Sequence, residues 1–197
     1  MGAPRKHDTD RILDAARALV LRDGPRAASV AAIAAESGAP VGTLYHRFGN
    51  RDGLLAATWL RALERFGARA LAAAQGESDP VDSAVGMARA AVAFARDLPE
   101  DAQLLLSLRR DDLLDTVPGA EFRRRLAEIN APLEAEVRRV ARVLHGDEGG
   151  RALDAVTRAA VDLPYAAVRR HGRDGSLPAW LEEDVGTSAR LLLESRI

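Results

Sequence analysis

The sequence predicts an all-α protein, with an N-terminal three-helix helix-turn-helix domain followed by a larger helical body. Three observations carry this. Apolar residues recur at three- and four-residue intervals along most of the 197-residue chain. The composition is rich in Ala, Leu and Arg and low in β-branched residues, which favours helix and offers no credible strand series. The stretch SVAAIAAESGAPVGTLYHRFGNRDGLL, Ser29 to Leu55, reads as two short helices joined at a tight glycine turn, with a further helix starting just beyond.

The first helix is expected from a cap at Thr9 or Asp10 to about Arg22, with Ile12, Ala16, Leu19 and Val20 on one side and Asp23-Gly24-Pro25 stopping it. Ser29 can cap the second helix, whose apolar face is Val30, Ile33 and Ala34. Gly38 stands where the chain must turn and left-handed backbone is favoured. Pro40 suits the first turn of the third helix, where early N–H groups have no intrahelical partner. In that helix, Val41 to Phe48, the residues Val41, Leu44 and Phe48 fall three and four apart and can face inward together. Gly42, Thr43, Tyr45, His46 and Arg47 are left largely outward. A short exposed helix offering small residues, a hydroxyl, a phenol and cationic donors fits a DNA major groove.

Gly49-Asn50 breaks the third helix, and Asn50 can cap the fourth, expected over Arg51 to about Ala74 with Leu54, Leu55, Trp59, Leu63 and Phe66 as its stripe. Asp52 suits its first turn, whereas Gly53 reads as slightly weakening that turn or as a neutral surface residue. Further helices are expected over about Val81 to Asp97, Pro99 to Leu114, Pro118 to Leu144, Arg151 to His171 and Pro178 to Ser195. Pro132 argues for a kink or break near Asn130-Ala131, and Pro164 lies inside the following helix.

The formal net charge of −1 alone argues against nucleic acid. Residues 1 to 50, however, carry seven Lys/Arg against five Asp/Glu, while the other 147 carry 21 against 24. A mildly basic head on a mildly acidic body allows attraction to phosphate without making the whole protein sticky. There is no cysteine, so neither a disulfide framework nor a thiolate zinc site is available. No apolar run is long enough to span a bilayer, and the polar N-terminus lacks the apolar core of a secretory signal. A cytoplasmic protein with no membrane partner is the expectation. His145 and His171 have acidic residues nearby but no HExxH spacing or compact ligand cluster, and no Ser/His/Asp arrangement is identifiable. Neither a metal site, a cofactor, catalytic residues nor an enzyme is expected.

The run Gly38, Thr43, Tyr45, Phe48, then Asn50-Arg51 and Leu54-Leu55, resembles the DNA-binding domain of TetR-family transcriptional regulators over roughly residues 9 to 55. The resemblance implies a DNA-binding head, residues 1–50, and a helical effector-binding and dimerisation domain, residues 51–197. The third helix becomes the recognition helix. Ser29, Val41, Gly42, Thr43, Tyr45, His46 and Arg51 are the candidate DNA contacts, so Val41 is assigned both to the inward stripe and to the DNA face. Tyr45, Arg51 and Ser29 suit phosphate. Arg47 has no settled role, because the family often carries an aromatic residue or histidine near that position.

Trp59, Met87, Phe94, Phe122 and Tyr165 are the large body residues able to line an apolar effector pocket, with Trp180 a further one and Arg109, Arg110, Asp111 and Asp112 able to add polarity. Each can equally be simple core. The family's last two long helices form a four-helix dimer interface, which places Val156, Leu163, Leu181 and Leu192 at the contact. The implied function is a sequence-specific regulator, most simply a homodimeric repressor bound to double-stranded operator DNA and released by a mostly apolar small molecule. The alternatives are a DNA-binding regulator with no small-molecule effector, and a helical small-molecule-binding protein without operator recognition.

Overall fold

The computed structural model describes residues 5–108, 119–172 and 176–195, and among them the regular structure is helical throughout, with no strand. The helices are α1 (Arg5–Asp23), α2 (Val30–Ser37), α3 (Val41–Phe48), α4 (Arg51–Gln75), α5 (Pro80–Asp97), α6 (Pro99–Ser107), α7 (Gly119–His145), α8 (Gly150–Thr157), α9 (Leu163–His171) and α10 (Leu181–Glu194). A π-helical segment, Arg158–Asp162, joins α8 to α9. The run from Arg109 to Asp112 and the expected extension of α6 to Leu114 lie outside the described residues.

Several boundaries differ from the sequence expectation. α1 begins at Arg5, a turn before the expected cap at Thr9 or Asp10. α7 passes through Pro132 without a break. Pro132 is exposed, so its ring meets no neighbouring core, and the helix continues although proline supplies no N–H to the ladder. Pro164 has the larger effect. It cannot donate to Ala160, and just before it the ladder is respaced: the Leu163 N–H donates to the Arg158 carbonyl, five residues back. The last helix starts at Leu181, after a turn at Ala179 and Trp180.

The chain divides into two compact units. The first comprises Met1–Leu63 and Glu100–Leu126. Its core joins Ile12, Ala16, Leu19 and Val20 of α1, Ile33 of α2, Leu44 of α3, Leu54, Leu55 and Trp59 of α4, Leu104 and Leu108, and Phe122 and Leu126 of α7. The Trp59 indole N–H donates to the Leu108 carbonyl at 3.1 Å, satisfying the polar atom of an otherwise buried side chain. A charged cluster ties three helices of this unit together. Arg17 of α1 pairs with Asp101 and, at 2.6 Å, with Glu100, both on α6. Arg61 of α4 reaches Asp14 at 2.6 Å and Asp10 at 3.2 Å, both on α1. Asp101 is buried, so its pairing with Arg17 prevents an uncompensated charge in the core.

The second unit comprises Glu64–Pro99 and Ala127–Ile197. α5 is its central helix and packs against the π segment, α9 and α10. Phe66 and Phe94 meet edge to face with centroids 5.5 Å apart. Gly86 lets α5 approach the Ala73 carbonyl of α4, where a Cβ would come within 2.9 Å. α5 and α10 run past each other with three contacts in sequence. Asp82 pairs with Arg190, Arg89 lies across Gly186, and Arg96 pairs with Glu182 at 2.7 Å. Arg96 also donates to the Pro178 and Ala179 carbonyls at 2.7 and 2.9 Å, holding the turn that leads into α10.

Between α5 and α7, the buried Ser83 hydroxyl donates to Glu136 at 2.6 Å, and Arg139 forks onto the same carboxylate. Arg139, and secondarily Ser83, hold the Glu136 carboxyl below the usual glutamate range against the opposing effect of burial. A lowered folded-state pKa contributes stability that is present above the unfolded value and lost as pH falls through the folded one. The melting-temperature advantage of wild type over Glu136→Gln is therefore expected to be full at neutral pH. It should shrink as the pH is lowered below about 4.3, the ordinary glutamate value, which melts across an acid pH series will measure.

Candidate nucleic-acid interface

The site is built around a helix too short to hold itself. α3 has eight residues and lies between two glycines in positive-φ backbone, Gly38 at +70°, which ends α2, and Gly49 at +75°, which ends α3 itself. Before it, the Ser29 hydroxyl caps α2 by accepting from the Ala32 N–H at 3.1 Å. Pro40 stands at the N-cap of α3 with φ −59°, as its position in the sequence suggests. After it, the Asn50 side chain caps α4 by accepting from the Gly53 N–H at 2.8 Å.

Gly53 corrects the sequence reading. A Cβ there would overlap the Phe48 carbonyl oxygen, so the residue is neither neutral nor merely weakening. It allows the end of α3 and the start of α4 to pack backbone on backbone.

Only Leu44 of α3 is fully buried, at 1% exposure, with Phe48 packed partly against the same core. Val41 is 42% exposed, which corrects its assignment to the inward stripe and leaves it on the outward face. It occupies the first turn, ahead of the part of α3 that the core covers. Gly42 and His46 are also exposed, Tyr45 is 52% exposed, and Thr43 is half-buried. An added Cβ at Gly42 would meet nothing within 4 Å. The outward face is therefore low at one end and aromatic in the middle, and it offers hydroxyl and imidazole groups.

Arg47 and Arg51 have specific protein partners. Arg47 donates to the Thr9 hydroxyl at 3.0 Å, tying α3 back to α1 through a link that helical periodicity does not signal. Arg51 Nε donates to the Ala28 carbonyl at 3.1 Å, Nη2 donates to the Pro25 carbonyl, and Nη1 pairs with Asp52 at 2.9 Å. The charge expected at a phosphate is thus engaged with the loop between α1 and α2.

The body residues fall in separate places. Trp59 and Phe122 are buried together in the first unit with centroids 6.2 Å apart. Met87 and Phe94 are buried in the second unit, and Tyr165 is half-exposed there. Trp180 is also half-exposed and meets His171 edge to face. Val156 and Leu181 are buried within the single chain, Leu163 is half-buried, and Leu192 is 43% exposed. Substitution of Val156 or Leu181 thus acts first on the chain's own core. Val161 of the π segment and Leu191 of α10 are also exposed, near Tyr165 and Leu192 in sequence. Among the described residues no cluster of His, Cys, Asp or Glu could hold a metal ion, and no helix is long and apolar enough to cross a membrane.

Two short helices set by a glycine turn, the second presenting a free polar face, define a helix-turn-helix protein. Residues 12–58, which span the helix-turn-helix, match the family model of bacterial regulatory proteins, tetR family. Over 92 residues it is 37% identical to the HTH-type transcriptional repressor ComR of Escherichia coli (strain K12). That stretch covers 47% of this chain and 44% of ComR, so the match spans less than half the length of that relative. Solved structures extend the likeness to the whole fold. A putative transcriptional regulator from Pseudomonas aeruginosa PAO1 has a TM-score of 0.75 at 17% identity, covering 97% of this chain and 90% of that one. The transcriptional regulator FadR from Bacillus subtilis, in complex with stearoyl-CoA, has a TM-score of 0.69 at 17% identity, covering 94% and 97%. At these identities the likeness concerns the fold alone.

Neighbouring positions should respond in opposite ways. Leu44→Ala is expected to cost about 2–5 kcal/mol, the range for a fully buried leucine. Gly53→Ala is expected to cost about 1–3 kcal/mol by overpacking. Gly42→Ala and Tyr45→Phe, on the open face, should stay within about 1 kcal/mol of wild type. Denaturant unfolding of the four variants checks the assignment of helix faces.

Proposed function

We infer that this chain is a sequence-specific DNA-binding transcriptional regulator that acts as a repressor, with α3 as its recognition helix. The observation that carries the reading is the face of α3 formed by Val41, Gly42, Tyr45 and His46, which the fold leaves open while Leu44 anchors the opposite side. Gly42 allows the backbone to approach a base edge or phosphate closely, and Thr43 and Tyr45 supply hydroxyl donors. Ser29 and the first N–H groups of α2 add a phosphate contact beside it. The tetR-family match and the repressor ComR support the same reading.

Binding to selected DNA and to a scrambled duplex, followed over a salt series, tests this. Wild type should prefer the selected duplex. Tyr45→Phe and Gly42→Ala should lose about tenfold or more of that affinity while keeping their fold, the first through a hydrogen bond to a charged group and the second through steric separation. Equal affinity for both duplexes at every salt concentration refutes the specific reader.

A repressor of this shape works best as a two-fold dimer, because two recognition helices then meet successive major grooves. Exposed apolar side chains support self-association through the C-terminal helices: Val161 of the π segment, Tyr165 of α9, and Leu191 and Leu192 of α10. Leu192→Glu is expected to shift sedimentation toward monomer and to weaken operator binding, with an unchanged helical spectrum. Leu181→Glu, inside the protomer core, should instead lower the melting temperature.

The body is dominated by apolar side chains, and the FadR neighbour holds stearoyl-CoA, which together favour a mostly apolar, acyl-type small molecule as the releasing ligand. Release requires that the ligand bind a DNA-incompatible arrangement better than the DNA-compatible one. α4 is the natural link, since it starts beside α3 and supplies residues to both units.

A further inference from the structure

We propose that Arg51 is a positioning residue of the DNA-reading head, acting through the α1–α2 loop rather than by contacting phosphate. This rests on the DNA-binding reading above, but its physical basis lies in the free protein. The first turn of a helix that follows a recognition helix is an obvious place for a phosphate-binding cation, and the sequence suggests that role. The geometry points elsewhere.

The loop from Gly24 to Ser29 has little internal structure to hold it. Its backbone bonds are those of Gly24 N–H to Val20 O, Ala27 N–H to Gly24 O at 3.1 Å and Ser29 N–H to Ala27 O at 2.8 Å. The Pro25 and Ala28 carbonyls are not the acceptors of these bonds, and both accept from Arg51. One planar guanidinium thereby spans the loop and fixes its end, the residue before the Ser29 cap. Asp52, the next residue along, pairs with the same group and fixes its plane. The pairing also offsets the charge that a phosphate would otherwise meet. Because α2 starts at Val30 and α3 follows after Gly38, the direction in which the loop delivers α2 sets the pose of α3.

The two roles differ in what lysine can do. A phosphate contact needs a positive charge, which lysine supplies. Bridging two carbonyls and a carboxylate needs donors fixed in one plane, which an ammonium on a flexible stem does not provide. They also differ in salt dependence, because each phosphate neutralised contributes about 0.9 to the slope of log K against log salt.

The experiment uses the whole 197-residue chain with Arg51→Ala and Arg51→Lys. In the free protein, amide hydrogen exchange at Ala27 and Ser29 should quicken in both variants, while that at Ile33 and Leu44 stays near wild type. On the selected duplex both variants should lose affinity, by about tenfold, with the salt slope unchanged. A Ser29→Ala double-mutant cycle with Arg51→Ala should be non-additive, whereas a cycle with Tyr45→Phe should add. Full affinity in Arg51→Lys, together with a slope lower by about one in Arg51→Ala, overturns the proposal in favour of phosphate contact. Unchanged exchange at Ala27 and Ser29 overturns it independently of DNA. A wild-type protein that shows no duplex preference refutes the proposed function instead, and the exchange measurement still decides whether Arg51 holds the loop.

Discussion

Everything at the candidate interface depends on holding an eight-residue helix that buries one residue completely. An isolated helix of this length is not stable in water, because the nucleation cost is spread over too few hydrogen bonds. Leu44 anchors α3 at a single point, which leaves rotation about that point to be fixed by other groups. The protein supplies them at the flanks. Gly38 ends α2 just before it, Gly49 ends α3, Arg47 ties it to Thr9, Phe48 lies against the core, and Gly53 lets α4 begin directly against the Phe48 carbonyl. The outward residues are free to meet a ligand because the inward work is done by so few.

The first unit surrounds this arrangement with more than its three N-terminal helices. α6 and the beginning of α7 contribute Leu104, Leu108, Phe122 and Leu126 to the same core. Arg17 and Arg61 hold α1 to α6 and to α4 through buried or half-buried pairs. Residues far apart in sequence thus bear on α1, which in turn holds α3 through Thr9. Any movement of α6 would be felt at α1 through Arg17 without passing along α4.

Sequence reasoning reached the head because its signals are local. A cap, a positive-φ glycine, a proline at a first turn and a three-and-four apolar spacing each act within a few residues. Ser29, Gly38, Pro40, Leu44 and Asn50 accordingly stand where the pattern puts them. It failed where the deciding partner is distant or is backbone. Val41 has the spacing of a core residue, but the core ends before it reaches that turn. The need for Gly53 depends on the Phe48 carbonyl, and the partners of Arg51 are two carbonyls more than twenty residues earlier. In the body, helical periodicity marked the apolar side of each helix but did not show which apolar residues the chain's own fold covers. Val156 and Leu181 therefore read like Leu192, although the fold buries the first two and exposes the third.

The three contacts along α5 and α10 have a consequence for topology. Along α5 the order is Asp82, Arg89, Arg96, and along α10, read against its direction, it is Arg190, Gly186, Glu182. Each exposed pair contributes little to stability by itself. Their value is as a polarity code. Were α10 to dock on α5 in the reverse sense, Asp82 would face Glu182 and Arg96 would face Arg190, and the gap at Gly186 would remain in the middle. Mispaired charge penalises that alternative more than correct pairing rewards the native one. Two amphipathic helices that could otherwise pack together either way round are thereby given a single direction.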